Sequence, residues 1–169
     1  MADVAAIHAT LLSQLDRLLA IAEDPGEFPD AHTGVSRWSP LLHAEHLARA
    51  DAASLDQLDK ALERDGGAGL KPLGLVVLTF GWIPRGRGEA PEPSRPGGAD
   101  RERVADDLRA VRARIEALGD RLDEIAAGRG RASHPFFGGL TPARWLRFLE
   151  VHHHHHLKIV EDVRAAWRR

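Results

Sequence analysis

Ten histidines occur in the 169-residue chain, and five of them form one uninterrupted run, His152 to His156. An expression tag would explain such a run. This one is internal, has five members, and continues into Leu157-Lys158-Ile159-Val160-Glu161-Asp162-Val163, inside a helical pattern that tags do not respect. At roughly 100° per residue, Trp145, Leu149, His152, His156, Ile159 and Val163 share one helix face. His154 falls on the opposite side, and His153 and His155 fall at the flanks. Two imidazoles at i and i+4 can reach the same cation, as zinc sites do repeatedly. The alternative is a pair of core histidines satisfied by hydrogen bonds. It is the costlier one, because two adjacent polar rings must be satisfied and their protonation is mutually repulsive. His153, His154 and His155 are expected to be solvated or to form a surface metal site.

A third ligand has to come from another helix. Trp38-Ser39-Pro40-Leu41-Leu42-His43-Ala44-Glu45-His46-Leu47 offers His43 and His46. His46 shares its face with Leu42, Ala50 and Ala53, whose small alanine side chains leave room beside it. The spacing of three between the histidines is not the His-Glu-x-x-His pattern of zinc proteases. Three neutral imidazoles leave at least one coordination position open. A zinc ion there lowers the pKa of bound water toward about 7 or holds a thiol as its anion. Thiolate attack on an electrophile gives S-transfer, and hydroxide attack gives hydrolysis. A non-catalytic metal module, structural or sensory, is the competing function. The chain has no cysteine, which excludes disulfides, thiolate ligands and a cysteine nucleophile. No general base is assigned, since helical phase points Glu150 away from the ligand face.

The elements that must position these residues are helices. Ala, Leu, Arg, Glu and Asp dominate, β-branched residues are sparse and tyrosine is absent, which favours an all-α fold. Four segments separate: about Asp3 to Glu23, Ser39-Pro40 to about Arg64, about Asp100 to Ala127, and Thr141-Pro142 to about Trp167. Ser39 and Thr141 are expected N-caps, each with proline at the first helical position. In the third segment Val104, Leu108, Val111, Ile115, Leu118, Leu122 and Ile125 recur at spacings of four and three, a bundle seam. The expected architecture is therefore a single-domain four-helix bundle with a long crossover loop between helices 2 and 3. The first half of that crossover, Leu70 to Ile83, is apolar. It is expected to cover the open end of the bundle and wall the pocket, with docking on a partner chain or membrane as the alternative. The second half is rich in Pro, Gly and Arg, and a loop this long is more often a lid or binding segment than filler. Its Arg85 and Arg87 are candidates for contact with an anionic small-molecule substrate.

Charge narrows the partners. The formal net charge is −2 with neutral histidines, and basic residues alternate with acidic ones, so no nucleic-acid-binding stripe is expected. No signal peptide is apparent and no apolar run is expected to span a membrane. A soluble, cytoplasmic protein is the expectation.

Two motifs resemble the DinB/YfiT-like superfamily. Trp38-Ser39-Pro40 followed by Glu45-His46-Leu47 is similar to that family's start of the second helix and its His-Leu ligand. Gly138-Gly139-Leu140-Thr141-Pro142-Ala143-Arg144-Trp145, then His152 and His155-His156-Leu157, is similar to its last helix, where a His-x-x-His-His pattern supplies ligands at its first and last positions. Residues Leu70 to Pro96 and His134-Pro135-Phe136-Phe137-Gly138 resemble one subgroup. The resemblance covers nearly the whole chain. It implies a four-helix bundle holding a zinc or nickel ion on His46, His152 and His156, often as a homodimer. It also implies activities such as S-transfer or isomerisation that use a low-molecular-weight thiol, mycothiol or bacillithiol.

Overall fold

Asp3 opens the first helix, α1 (Val4–Glu23), by accepting from the backbone N–H groups of Ala5 and Ala6, two of the donors that a helix start leaves unpaired. The computed structural model describes residues 3–24, 26, 34–86, 89–98 and 100–168. Ser39 caps α2 (Pro40–Leu62), its hydroxyl accepting from Leu42 N–H at 3.2 Å. Next come α3 (Pro72–Phe80), a 3-10 turn at Glu92–Ser94 and α4 (Arg101–Ala117). A second 3-10 turn leads into α5 (Leu122–Ala127), and a hairpin of β1 (Ala132–His134) and β2 (Gly138–Leu140) precedes α6 (Pro142–Trp167). The fold of the described residues is mostly helical, with this one small sheet.

The long helices α1, α2, α4 and α6 pack around one core: α1 and α2 each lie against both α4 and α6. Leu11, Leu15 and Leu18 of α1, Leu55 and Leu58 of α2, Leu108 and Ile115 of α4, and Leu149 and Val163 of α6 are buried there. Each such side chain contributes about 1.5–3 kcal/mol on full burial. By length and composition α1 would suffice to cross a membrane, contrary to the expectation from hydropathy. Its Leu11, Leu15 and Leu18 are instead buried inside this core, with Leu12 and Leu19 partly buried against it.

Three local features depart from the sequence reading. The apolar stretch after α2 is a helix, α3, ended by Gly81 in the left-handed region at φ +66°, where glycine carries no Cβ penalty. The third segment breaks after Ala117. His8 Nε2–H donates to the Ile115 carbonyl at 2.8 Å, the acceptor that Gly119 N–H would use in a continuous helix, and the ladder tightens to 3-10 there. Finally, Thr141 precedes α6 without making a side-chain cap hydrogen bond.

The hairpin pairs Ala132 with Leu140, Ser133 with Gly139 and His134 with Gly138. It is stitched to the segment before α3 by Lys71 N–H to the Phe137 carbonyl, 2.8 Å, and Gly139 N–H to the Gly69 carbonyl, 3.0 Å. Any Cβ at Gly139 would collide with the Ala68 carbonyl oxygen, so this approach requires glycine. Val77 and Leu78 of α3 are buried, whereas Leu75, Val76 and Phe80 are exposed and Trp82 is 61% exposed. The segment walls the interior with one side only.

Candidate metal centre

Helix α2 delivers His43 and His46, and α6 delivers His152 and His156. Nε2 of His152 lies 3.2 Å from His46 Nε2 and 3.1 Å from His156 Nε2. One nitrogen from each of these three rings lies within 4.8 Å of the others. His46 and His156 are 4% and 7% exposed.

The tautomers show what such a cluster needs. His46 Nδ1–H donates to the Ser94 carbonyl at 2.7 Å, so the Nε2 of the neutral ring is bare. His156 Nδ1 lies 2.8 Å from His43 Nδ1, and His43 Nε2 lies 3.0 Å from Ser36 Oγ. With its proton on Nδ1, His156 donates to His43, which in turn donates from Nε2 to Ser36. His156 Nε2 is then bare as well. His152 can offer at most one N–H to two facing lone pairs, and its Nδ1 is buried without a partner. A cation resolves this crowding. Nitrogens that each sit about 2.0–2.1 Å from a four-coordinate zinc ion are roughly 3.3 Å apart, close to the separations found. The residues present therefore fit a divalent ion.

Burial pushes the imidazoles toward their neutral, ligating form. His46 is held below its ordinary pKa by desolvation, partly opposed by the Ser94 hydrogen bond and the Asp51 charge. His152 and His156 lie well below it, through desolvation and then neighbouring imidazoles. His43 is lowered to about 3 by burial, then by His46. A histidine depressed in the folded state binds fewer protons there than when unfolded, so stability falls as pH drops. The metal-free protein is expected to lose melting temperature as pH falls from about 6.5 toward 4, with a flat profile from about pH 7 to 8. A thermal melt series on chelator-treated protein checks the sign.

Ser94 and His43 are placed to set the tautomers of His46 and His156; where the inner ring is a metal ligand, loss of such a partner typically costs about 10–100-fold in metal affinity. His43→Phe, which fills the space but accepts no hydrogen bond, is expected to weaken zinc binding by about that factor. A competition titration against a chromophoric chelator measures it. Sequence spacing places His43 only as a rival ligand one turn before His46, and its part here is second to the cluster. Trp38 covers the site, its ring 5.0 Å from that of His46 and 5.3 Å from that of His43.

The run His153 to His155 is not one solvated stretch. His154 is exposed and His155 half-buried. His153 is wholly buried, with Nε2–H donating to Asp51 Oδ2 of α2 at 2.6 Å. The flank position read from helical phase turns inward because α2 packs on that flank. No signal in the run itself reveals this, and Asp51 is one of three aspartates in α2.

The cluster opens on a cavity of about 830 Å³, with Ala50, Val77, Arg85, His134, Phe148 and His155 among its lining. Arg85 is half-exposed and pairs with Asp162 Oδ2 at 2.8 Å. Arg87 lies outside the described residues.

A mostly helical fold in which two helices bring three histidines to one point, beside a cavity, defines a class of helical protein with a potential metal centre. The chain belongs to the DinB superfamily, whose family profile matches residues 8–160. Neither curated proteins nor solved structures give a match.

Proposed function

We propose that this chain is a divalent-metal-dependent enzyme in which His46, His152 and His156 hold a zinc or nickel ion and a small molecule reacts beside them. The supporting observation is the convergence of three Nε2 atoms at the wall of a cavity large enough for a substrate. A purely structural ion would tend to be enclosed by four protein ligands. Among the described residues the cluster has three, and it faces open space.

Bound there, the ion would supply Lewis acidity and stabilise a substrate thiol or water as its anion. The reaction proposed first is S-transfer from a low-molecular-weight thiol, with hydrolysis as the alternative. The chain's own residues orient and exclude water. Ser94 and His43 fix the ligand tautomers, Trp38 covers the cluster, and Val77 and Phe148 make the cavity wall apolar. Arg85 and Arg87 are proposed to meet an anionic group of the substrate. An Arg85→Ala, Arg87→Ala variant is then expected to raise KM with kcat little changed, and unaltered kinetics would retire that contact.

The helices α1, α2, α4 and α6 are taken as the family's four-helix bundle in one domain, with α3 and its neighbours as the crossover. The apolar outer side of α3 is proposed as a homodimer face; sedimentation of wild type against Phe80→Ser, Trp82→Ser tests it. The functional test is a conjugation assay. Untagged protein loaded with zinc or nickel is mixed with mycothiol or bacillithiol and a fluorogenic electrophile, and hydrolysis of ester and amide substrates is followed in parallel. Turnover that disappears in His152→Ala supports the proposal. Absence of both activities with the metal in place would remove the enzymatic reading.

A further inference from the structure

His134 closes β1 and lines the same cavity, yet neither the histidine cluster nor its outer partners use it. Its Nδ1 accepts from Phe136 N–H and Phe137 N–H, both at 3.2 Å. Two donors converging on one nitrogen leave no place for a proton, so the neutral ring carries its proton on Nε2. Burial keeps the ring neutral by lowering its pKa to about 4. Among the described residues no hydrogen bond uses Nε2.

The ring cannot easily turn away. It is 8% exposed, stacked on Phe137 at a centroid distance of 4.4 Å and 10° between planes, and met edge-on by Phe148 at 4.5 Å. Phe148 also stacks on His152 at 5.2 Å. One aromatic ring thus separates a fixed, unused donor from the metal cluster. Flat aromatic rings around one fixed, outward N–H at this end of the cavity suit a flat apolar molecule bearing an oxygen acceptor.

We propose that His134 is a substrate-binding residue whose Nε2–H donates to a carbonyl or carboxylate oxygen of an aromatic ligand lying against Phe148. That the same ligand reacts at the ion rests on the metal-centre reading above; the His134 contact itself does not.

The test pairs two substitutions with two probes. In His134→Asn the side-chain Oδ1 can still accept from the turn N–H groups, but the outer donor is gone. His134→Gln keeps an N–H at the reach of Nε2 and loses the inner acceptor. The probes are acetophenone and ethylbenzene, similar in shape and differing in the oxygen, titrated by NMR into zinc-loaded and chelator-treated protein. Wild type is expected to prefer acetophenone by about fivefold, the worth of one neutral hydrogen bond. His134→Asn should lose that preference while binding ethylbenzene as before, and His134→Gln should retain it. Benzoate then separates carboxylate from carbonyl recognition. Equal binding of the two probes by wild type, or an undiminished preference in His134→Asn, would overturn the proposal. Should either variant fail to fold, the side-chain nitrogen spectrum of wild type decides. An Nε2–H signal shifted by acetophenone and not by ethylbenzene supports the contact, and an unshifted signal refutes it. Selectivity in the chelator-treated protein leaves His134 standing on its own, whereas a failure of wild type to bind zinc at all would sink the metal centre alone.

Discussion

Replacing Asp51 by alanine is expected to lower the unfolding free energy by about 3–5 kcal/mol, and the melting temperature by roughly 10 °C for a chain of this size. Asp51 and His153 are both fully buried and meet at 2.6 Å between α2 and α6. Such a pair is weak grounds for claiming net stabilisation, because taking two polar groups out of water offsets their attraction. Breaking it is a different matter. Alanine leaves His153 Nε2 without an acceptor in a place water does not reach, in addition to the Nδ1 that already has no partner. Asp51→Asn keeps an acceptor oxygen and should cost markedly less. His154→Ala, on the exposed side of the same run, should stay within about 0.5 kcal/mol of wild type. Denaturant unfolding of the three variants checks the order. Equal stability of Asp51→Ala and His154→Ala would contradict the buried pair.

Zinc loading is expected to produce the second large effect, a rise in melting temperature. A ligand that binds only the folded state stabilises by about 4 kcal/mol when present at roughly a thousand times its dissociation constant, which is roughly 10 °C here. The shift should vanish in His46→Ala and persist in His154→Ala. The chelator-treated protein should still melt cooperatively, because the core of Leu11, Leu15, Leu58, Leu108 and Ile115 is built without the histidine cluster. That separates a metal held for chemistry from one that creates the fold. Unfolding on chelation would favour a structural ion.

Much of this arrangement is legible where periodicity or capping speaks. The leucine spacing of α1, the seam of α4 and the Ser39-Pro40 start of α2 each carry a local signal, and helices form there. Helical phase also separates His152 and His156 from His154, because a residue opposite the buried stripe cannot face the core. Phase fails at a flank, where the neighbouring helix decides burial; His153 is buried because α2 packs on that side, with Asp51 opposite it. Three-residue strands are too short to show alternation, so the hairpin, and with it the placement of His134, leaves no trace in the sequence pattern. At the break after Ala117 a weak helix former, Gly119, coincides with a contact from His8, more than a hundred residues away, that only folding creates. The tautomers that make the cluster suitable for a cation depend on Ser94 and Ser36, whose contacts with the histidines arise only on folding.

The most direct test of the metal centre is elemental mass spectrometry of untagged protein. Wild type is compared with a His46→Ala, His152→Ala, His156→Ala variant that keeps His153, His154 and His155. About one equivalent of zinc or nickel in wild type, lost in the triple variant while a circular dichroism spectrum stays helical, is the expected result. Equal metal in both proteins, or none in either after growth with added zinc and nickel, would contradict it.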